Sequence, residues 1–271
     1  MLYLIGLGLS DHEDISLKGM KVLKNLDFVY AEFFTSKLFG TSIELIEEVI
    51  GRDVVLLNRM EVEEESIFLN KAKKYNVALI TGGDPLIATT HTQFLVEAKK
   101  QGIKTEVIHG SSILSAAEGI SGLQPYKFGK ITSIPFPDNN FFPHSPYLTI
   151  ENNLKNNAHT LVLLDIQVDK DRFMTINQGL EYLLKVRDEL LNEGKENFLV
   201  TEETLAIGVA RVGSKDLKIK AGKISDLINS DFGSPLHCIA IPSELQVVEA
   251  EYLIAIAGAD ESIKLLKTKN F

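Results

Sequence analysis

The sequence predicts two α/β domains, an N-terminal one with a mainly parallel, doubly wound sheet and a C-terminal one with a mixed sheet, with a ligand cleft between them. Three observations carry that prediction. Short apolar, β-rich runs alternate with helix-compatible segments through residues 1–124, and such alternation implies a parallel sheet covered on both faces by right-handed connections. Glycine-bearing turns follow three of those runs, at Gly6-Leu7-Gly8-Leu9, Gly82-Gly83-Asp84-Pro85 and His109-Gly110-Ser111-Ser112-Ile113. A composition shift over 124–146, with four prolines between 135 and 146, opens a second unit covering 125–271.

In order, residues 2–5 (LYLI) read as a buried strand, and Ser16 is placed to cap a helix through Asn25. Phe28 to Ala31 is a second strand, ending at Glu32. Thr41 with Glu44 three residues on suggests a capping box for a helix to Ile50, closed by Gly51. A strand over 54–57 and one helix from Glu61 to Tyr75 lead to the central strand Val77 to Ile80. After Gly82-Gly83-Asp84-Pro85 the chain reads as a helix start. A helix over 92–101, a strand over 104–108 and a short helix from Ser111 or Ser112 to Ser121 complete the first domain. The second holds strands near 131–136, 159–166, 204–214, 217–221 and 236–242, with helices over 147–157, 175–192, 224–230 and 246–258.

Composition narrows the function. With 28 basic against 37 acidic residues and a net charge of -9, the chain lacks the basic surplus of a general nucleic-acid binder. No apolar run reaches the roughly 18 residues of a membrane span, and the N-terminus enters a strand with no basic signal-peptide region. A single cysteine, Cys238, excludes an intrachain disulfide and a cysteine-cluster metal site and points to a buried thiol in a cytosolic protein. Lys264, Lys267 and Lys269 read as a solvated basic tail.

Parallel strands put their carboxyl ends on one edge, where small ligands bind. Asp84 at that edge either accepts hydrogen bonds from a ligand or caps the helix after it. A dinucleotide fingerprint fails, because the third glycine counted from Gly6 falls at Asp11, which would repel a pyrophosphate. Glu32 nevertheless stands near the position of a ribose-binding acid. No phosphate-binding P-loop occurs, so the predicted ligand is free of phosphate. In the second half, Leu164 before Asp165, Ala210 before Arg211, and His237 after the Gly233-Ser234-Pro235 turn stand at strand ends and are candidate cleft positions.

Taken together, IGLGLSDHEDISLKG, YAEFFTS, TGGDPLIATTH, IHGSSILSA, GLQPYKFGK, HTLVLLDI, ARVGS and LQVVEAEYLIAIAGA resemble, collinearly and over nearly the whole chain, the diphthine synthases. That family lies within the tetrapyrrole-methylase-like methyltransferases. YAEFFTS, GDPLIATTH and YKFGK carry the more specific part of the likeness, and the family usually has proline where this chain has Gly82. The resemblance implies methyl transfer from S-adenosylmethionine, leaving S-adenosylhomocysteine, to the amino group of a 3-amino-3-carboxypropyl chain on a histidine of translation elongation factor 2. It implies no metal, no nucleic acid and no membrane, a cytoplasmic homodimer, and a bent methyl donor in the interdomain cleft. Carried over residue by residue, the donor contacts are Leu9, Asp84, Ile87, Ser112, Ile113, Leu164, Ala210 and His237. The amine must lose a proton before attack, and Glu32, His91 and His237 are the candidate bases. The 133–147 region is a candidate dimer surface. The rivals are a tetrapyrrole methylase, a nicotinamide-dependent dehydrogenase and a non-catalytic module binding elongation factor 2.

Overall fold

A computed structural model describes residues 1–265 other than Thr35, Glu65, Asn139 and Asn140, and only the backbone of Leu265. Lys267 and Lys269 of the basic tail, and Thr35 of the YAEFFTS segment, therefore lie outside the described residues. The chain divides into two compact units, Met1–Ile113 with Ile166–Arg172, and Leu114–Asp165 with the residues from Phe173 onward.

In the first unit, β1 (Leu2–Gly6), β2 (Phe28–Glu32), β3 (Val54–Leu57), β4 (Val77–Thr81) and β5 (Thr105–Ile108) form one sheet in the order β3-β2-β4-β1-β5. Every pairing is parallel. Alternate side chains separate into two cores: Ile5, Val29, Ala31, Ala78 and Ile80 on one face, and Leu2, Leu4, Tyr30, Val77 and Leu79 on the other. This two-sided burial explains why these strands are near-continuous apolar runs and not alternating ones.

The first unit's helices are α1 (Leu17–Leu23), α2 (Ile43–Ile50), α3 (Arg59–Glu63), α4 (Ile67–Ala72) and α5 (Thr92–Lys100), and α6 (Ile113–Ile120) begins at the last residue before the second unit. Ser16 caps α1 through the amide of Gly19, as expected. The cap of α2 is Ser42 and not Thr41, accepting from the Leu45 amide, and Gly51 closes that helix at φ 69°. The single helix expected over 61–75 is two. An Asn58–Glu61 capping box starts α3 two residues earlier, and Ser66, at φ 46°, breaks the run before α4. Residues 85–91 form no helix, and α5 begins only at Thr92, well beyond the end of β4 at Thr81.

The second unit has β6 (Thr132–Ile134), β7 (Thr160–Leu164), β10 (Leu205–Ala210), β11 (Lys218–Lys223) and β12 (His237–Ile241) in the order β11-β10-β12-β7-β6. The Ile166–Arg172 segment of the first unit holds β8 (Ile166–Gln167) and the start of β9 (Arg172–Phe173), which form a separate two-stranded ribbon. The main sheet is mixed: β6 runs parallel to β7 and the other pairs are antiparallel. Around it lie α7 (Ser145–Lys155), α8 (Ile176–Asn192), α9 (Ile224–Leu227) and α10 (Val247–Ala255). Leu180, Leu183, Val186 and Leu190 of α8 join Ile134, Val162 and Ile239 in one core, following the 3.6-residue apolar stripe. Phe136 and Phe142 of the proline-rich loop pack against that core, leaving Phe141 exposed. Cys238 is buried, and burial pushes its thiol up to about 12.

The YKFGK segment has a structural task. Lys127 Nζ lies 3.1 Å from the buried carboxylate of Glu249 on α10, which also accepts from His159 Nε2 at 3.0 Å and from the amides of Gln124 at 2.8 Å and Gln246 at 2.6 Å. Burial works to raise the Glu249 pKa, but the hydrogen bonds from His159, Gln246 and Gln124 outweigh it and hold the carboxyl down to about 2. Glu249→Ala would strand Lys127 and His159 in the interior. The expected loss is about 3–5 kcal/mol, measured as a lowered urea midpoint.

Candidate functional site

The first unit's site is built from backbone. Because β1 lies between β4 and β5 in a parallel sheet, the three glycine turns leave the same edge as neighbours. Gly83 donates to the Gly8 carbonyl at 2.6 Å, Gly8 donates back to Gly83 at 3.3 Å, and Leu7 donates to Thr81 at 2.9 Å. A β-carbon at Gly6 would collide with the Gly83 carbonyl oxygen and come within 2.7 Å of the Gly110 nitrogen. One at Gly110 would meet the same oxygen and approach the Gly6 carbonyl carbon to 2.8 Å. Gly6 and Gly110 thus answer a need for space, while Gly8 at φ 90° and Gly83 at φ 69° answer a need for left-handed backbone.

This junction brings together the candidates of the first unit. Leu9, half-buried, follows the first turn. Its amide and that of Ser10 donate to Asp14 Oδ2 at 3.1 and 2.7 Å. The amides that would greet a pyrophosphate are therefore already occupied by a carboxylate. That group is Asp14 and not Asp11, whose side chain instead accepts from the Glu13 amide. Asp84 is buried; Oδ1 accepts from the Leu86 amide at 3.0 Å and Oδ2 lies 2.7 Å from His109 Nδ1. It holds its own loop and the third turn at once. Ile87 is 40% exposed, an apolar side chain on the rim of that loop. Ser112, before α6, and Ile113, its first residue, are half-buried. Gly82 donates its amide to Ser36 Oγ at 3.1 Å, a bond that proline at this position could not make.

Leu164, Ala210 and His237 lie on one edge of the second sheet. Ala210 at the end of β10 pairs directly with His237 at the start of β12. The β12–β7 register pairs Cys238 with Leu163, so Leu164 ends β7 at the same edge. Leu164 and Ala210 belong to the core, which leaves their backbone as the part able to meet a ligand. His237 uses both ring nitrogens: Ile176 donates its amide to Nδ1 at 3.2 Å, and Nε2 donates to the Ser234 carbonyl at 3.0 Å.

The three candidate bases separate on this geometry. His237 is held neutral and has no free lone pair. Glu32, the last residue of β2 and level with Thr81 at the carboxyl edge, is fully buried and accepts from Thr81 Oγ1 at 3.0 Å. His91 binds the Pro85 carbonyl through Nδ1 at 3.0 Å, and its Nε2 lies 3.8 Å from Glu32 Oε2. A pocket lined by His91, Phe34, Glu63, Thr89 and Thr90 escaped the sequence because α3 and the 85–91 loop meet only in the fold. His109 and Asp14 were visible as polar residues beside turns, but their partners were not. Among the described residues no group of three histidine, cysteine or acidic side chains could hold a metal ion.

Burial, helped by the charge of Arg211, pushes His237 from 6.5 down to about 4 against the pull of the Ser234 carbonyl. Folded protein therefore binds fewer protons than unfolded protein between those values. Stability is full above pH 6.5 and declines as pH falls towards about 4, by at most about 3 kcal/mol from this group. His237→Asn, which keeps an acceptor for the Ile176 amide without titrating, is expected to flatten that part of the melting-temperature profile. The Glu249 contribution, lost only below the ordinary carboxylate range, stays in place.

The comparisons with known proteins agree with this architecture. Residues 1–228 match the family model for Tetrapyrrole (Corrin/Porphyrin) Methylases. Diphthine synthase of Methanosphaera stadtmanae is 51% identical over 97% of this chain and 98% of its own, and that of Methanothermobacter thermautotrophicus is 50% identical with the same coverage. A crystal structure of diphthine synthase superposes with a TM-score of 0.88 at 36% identity, covering 98% of this chain and 99% of that one. On a family model, a fold and a full-length identity that agree, the chain belongs to the tetrapyrrole methylase family and, within it, to the diphthine synthases.

Proposed function

We propose that the chain transfers methyl groups from S-adenosylmethionine to the amino group of the 3-amino-3-carboxypropyl side chain on a histidine of translation elongation factor 2, a step of diphthamide biosynthesis. The observation that carries the reading is the meeting of three turns at Gly6, Gly83 and Gly110, where contact with the Gly83 carbonyl excludes side chains at Gly6 and Gly110 and Gly83 takes left-handed backbone. It leaves backbone amides and carbonyls, with the Asp84 carboxylate among them, to face a ligand. Family membership supplies the reaction class.

When bound, S-adenosylmethionine supplies a methyl group already activated on a sulfonium. The protein's part is then to bind, orient and deprotonate. Leu9 and Ile87 offer apolar surface, Ser112 and Ile113 offer the backbone leading into α6, and Asp84 favours a cationic ligand. The amides taken by Asp14 fit a ligand without phosphates. Leu164, Ala210 and His237 are further donor contacts in this reading. Holding an amine in line with a reactive carbon can be worth an effective molarity of about 10⁵ M or more, so the reaction asks for no protein nucleophile. The same reading carries a homodimer and a cytoplasmic location. No helix among the described residues is long and apolar enough to cross a membrane.

Two experiments test the reading. Asp84→Ala is expected to weaken S-adenosylmethionine binding at least about tenfold, or 1.4 kcal/mol, in a calorimetric titration, with the circular dichroism spectrum unchanged. Unaltered affinity would remove Asp84 from the site. Incubating the purified chain with methyl-labelled S-adenosylmethionine and elongation factor 2 carrying the aminocarboxypropyl histidine should label the factor. A chain that binds the factor but transfers no label would be a binding module instead.

A further inference from the structure

A pocket of about 170 Å³ in the first unit is lined by Phe34, Val62, Glu63, Ala88, Thr89, Thr90, His91 and Phe94. It falls below the roughly 300 Å³ at which sites for drug-sized molecules begin, so it suits a small head group and not a whole nucleoside. Its walls are the stretch that continues the central turn, residues 88–91, and the end of α3. Its chemistry is mixed in sign. Glu63 offers a carboxylate, Thr89 and Thr90 offer hydroxyls, and Phe34 and Phe94 offer apolar surface. Arg59, one helical turn before Glu63, sets its guanidinium carbon 5.1 Å from the Phe34 ring centroid and brings a positive charge to the neighbouring surface.

His91 stands at the back of this pocket with a defined tautomer. Its Nδ1 faces the Pro85 carbonyl, which can only accept, so Nδ1 carries the hydrogen. Burial lowers its pKa, against the raising influence of Glu32, the Pro85 carbonyl and Glu63, the groups that face it from β2, the central loop and α3. The neutral ring therefore keeps its lone pair on Nε2. Among the described residues every side-chain nitrogen or oxygen sealed from solvent has a hydrogen-bond partner. Nε2 of His91 has only the ion-pair approach of Glu32 at 3.8 Å, so this nitrogen is not sealed from solvent, and His91 is among the residues lining the pocket.

We infer that this pocket receives the amino-acid head of the acceptor side chain, and that His91 Nε2 takes the proton the ammonium must lose before it can attack. The inference rests on the methyltransferase reading above. In the step, one N–H bond of the ammonium breaks and its electron pair stays on nitrogen as the attacking lone pair. The proton bonds to Nε2, and the resulting imidazolium is stabilised by the Glu32 carboxylate beside it. Glu32 acts through its charge beside that same nitrogen, while the Pro85 carbonyl at Nδ1 holds the ring in position. His91 returns the proton to water through the pocket mouth before the next transfer.

The test has one arm that needs no methyl donor. With the histidine ring nitrogens followed by NMR, titrating the full chain with 2-aminobutyrate, which is the acceptor head group on its own, should shift the His91 resonances saturably. Butyrate, lacking the amine, should leave them in place. No shift with 2-aminobutyrate, or an equal shift with butyrate, overturns the subsite. The second arm is His91→Asn, which keeps a donor for the Pro85 carbonyl but has no basic nitrogen. Its kcat at pH 7 should fall about 100-fold with donor affinity unchanged, and the deficit should shrink as pH approaches the amine's own pKa. A kcat within threefold of the parent, or a loss that does not vary with pH, would reduce His91 to a structural residue. If the parent chain neither binds S-adenosylmethionine nor transfers methyl, the functional reading fails, while the amine titration still decides whether the pocket takes this head group.

Discussion

The first unit depends on three peptide backbones that approach too closely for any side chain to stand between them. Gly6, Gly83 and Gly110 meet at the carboxyl edge of β1, β4 and β5, and the Gly83 carbonyl oxygen occupies the space that a β-carbon on either of the other two would need. This single constraint has two consequences. The turns are locked in mutual register, since Gly8 and Gly83 exchange hydrogen bonds across the gap. Where the three glycines meet, the polar groups are main-chain dipoles, fixed in direction by the sheet itself and costing no side-chain entropy to order. A site made this way is preorganised before any ligand arrives.

Electrostatics then decide which ligand such an edge can accept. Glycine turns running into helices are common ground for phosphate binding, because free amides point outward. In this chain the two amides after the first turn are satisfied by Asp14, and a second carboxylate, Asp84, sits by the second turn and ties it to His109 of the third. Two acidic groups at the edge disfavour an anion and favour a cation. The glycine turns are kept while two carboxylates stand among them, so the failed dinucleotide fingerprint carried as much information as the motifs that matched.

The parts of the fold legible in the sequence were those set by local chemistry. The buried parallel strands, the Ser16 cap and the Gly51 stop arise from runs, capping side chains and backbone freedom within a few residues. The misreadings arose where two local solutions competed. Thr41 and Ser42 are both able to cap α2, and Ser42 won; the capping box at Asn58 and the left-handed Ser66 divided a run that periodicity alone joins. The stretch after Pro85 looked helical but serves as a wall, held by the Asp84–Leu86 and His91–Pro85 hydrogen bonds. For the candidate site, the turn residues were legible because glycine clusters announce themselves. The roles of Asp14, His109 and Lys127 were not, since each depends on a partner brought in by the fold: the amides after the first turn, Asp84 and Glu249 respectively.

Two buried histidines show why a lowered pKa does not by itself mark chemistry. His237 and His91 are both pushed towards the neutral form by burial, and both offer a base in name. In His237 the Ile176 amide occupies one nitrogen and the Ser234 carbonyl the other, so taking a proton would require breaking the contact that anchors α8 to the start of β12. In His91 only Nδ1 is committed, to the loop that continues the central turn, and the other nitrogen lies beside a buried carboxylate that rewards a positive charge. Protonation opposes the structure at the first and is supported by it at the second. Hydrogen-bond accounting, nitrogen by nitrogen, thus separates a histidine that holds a strand from one placed to move a proton.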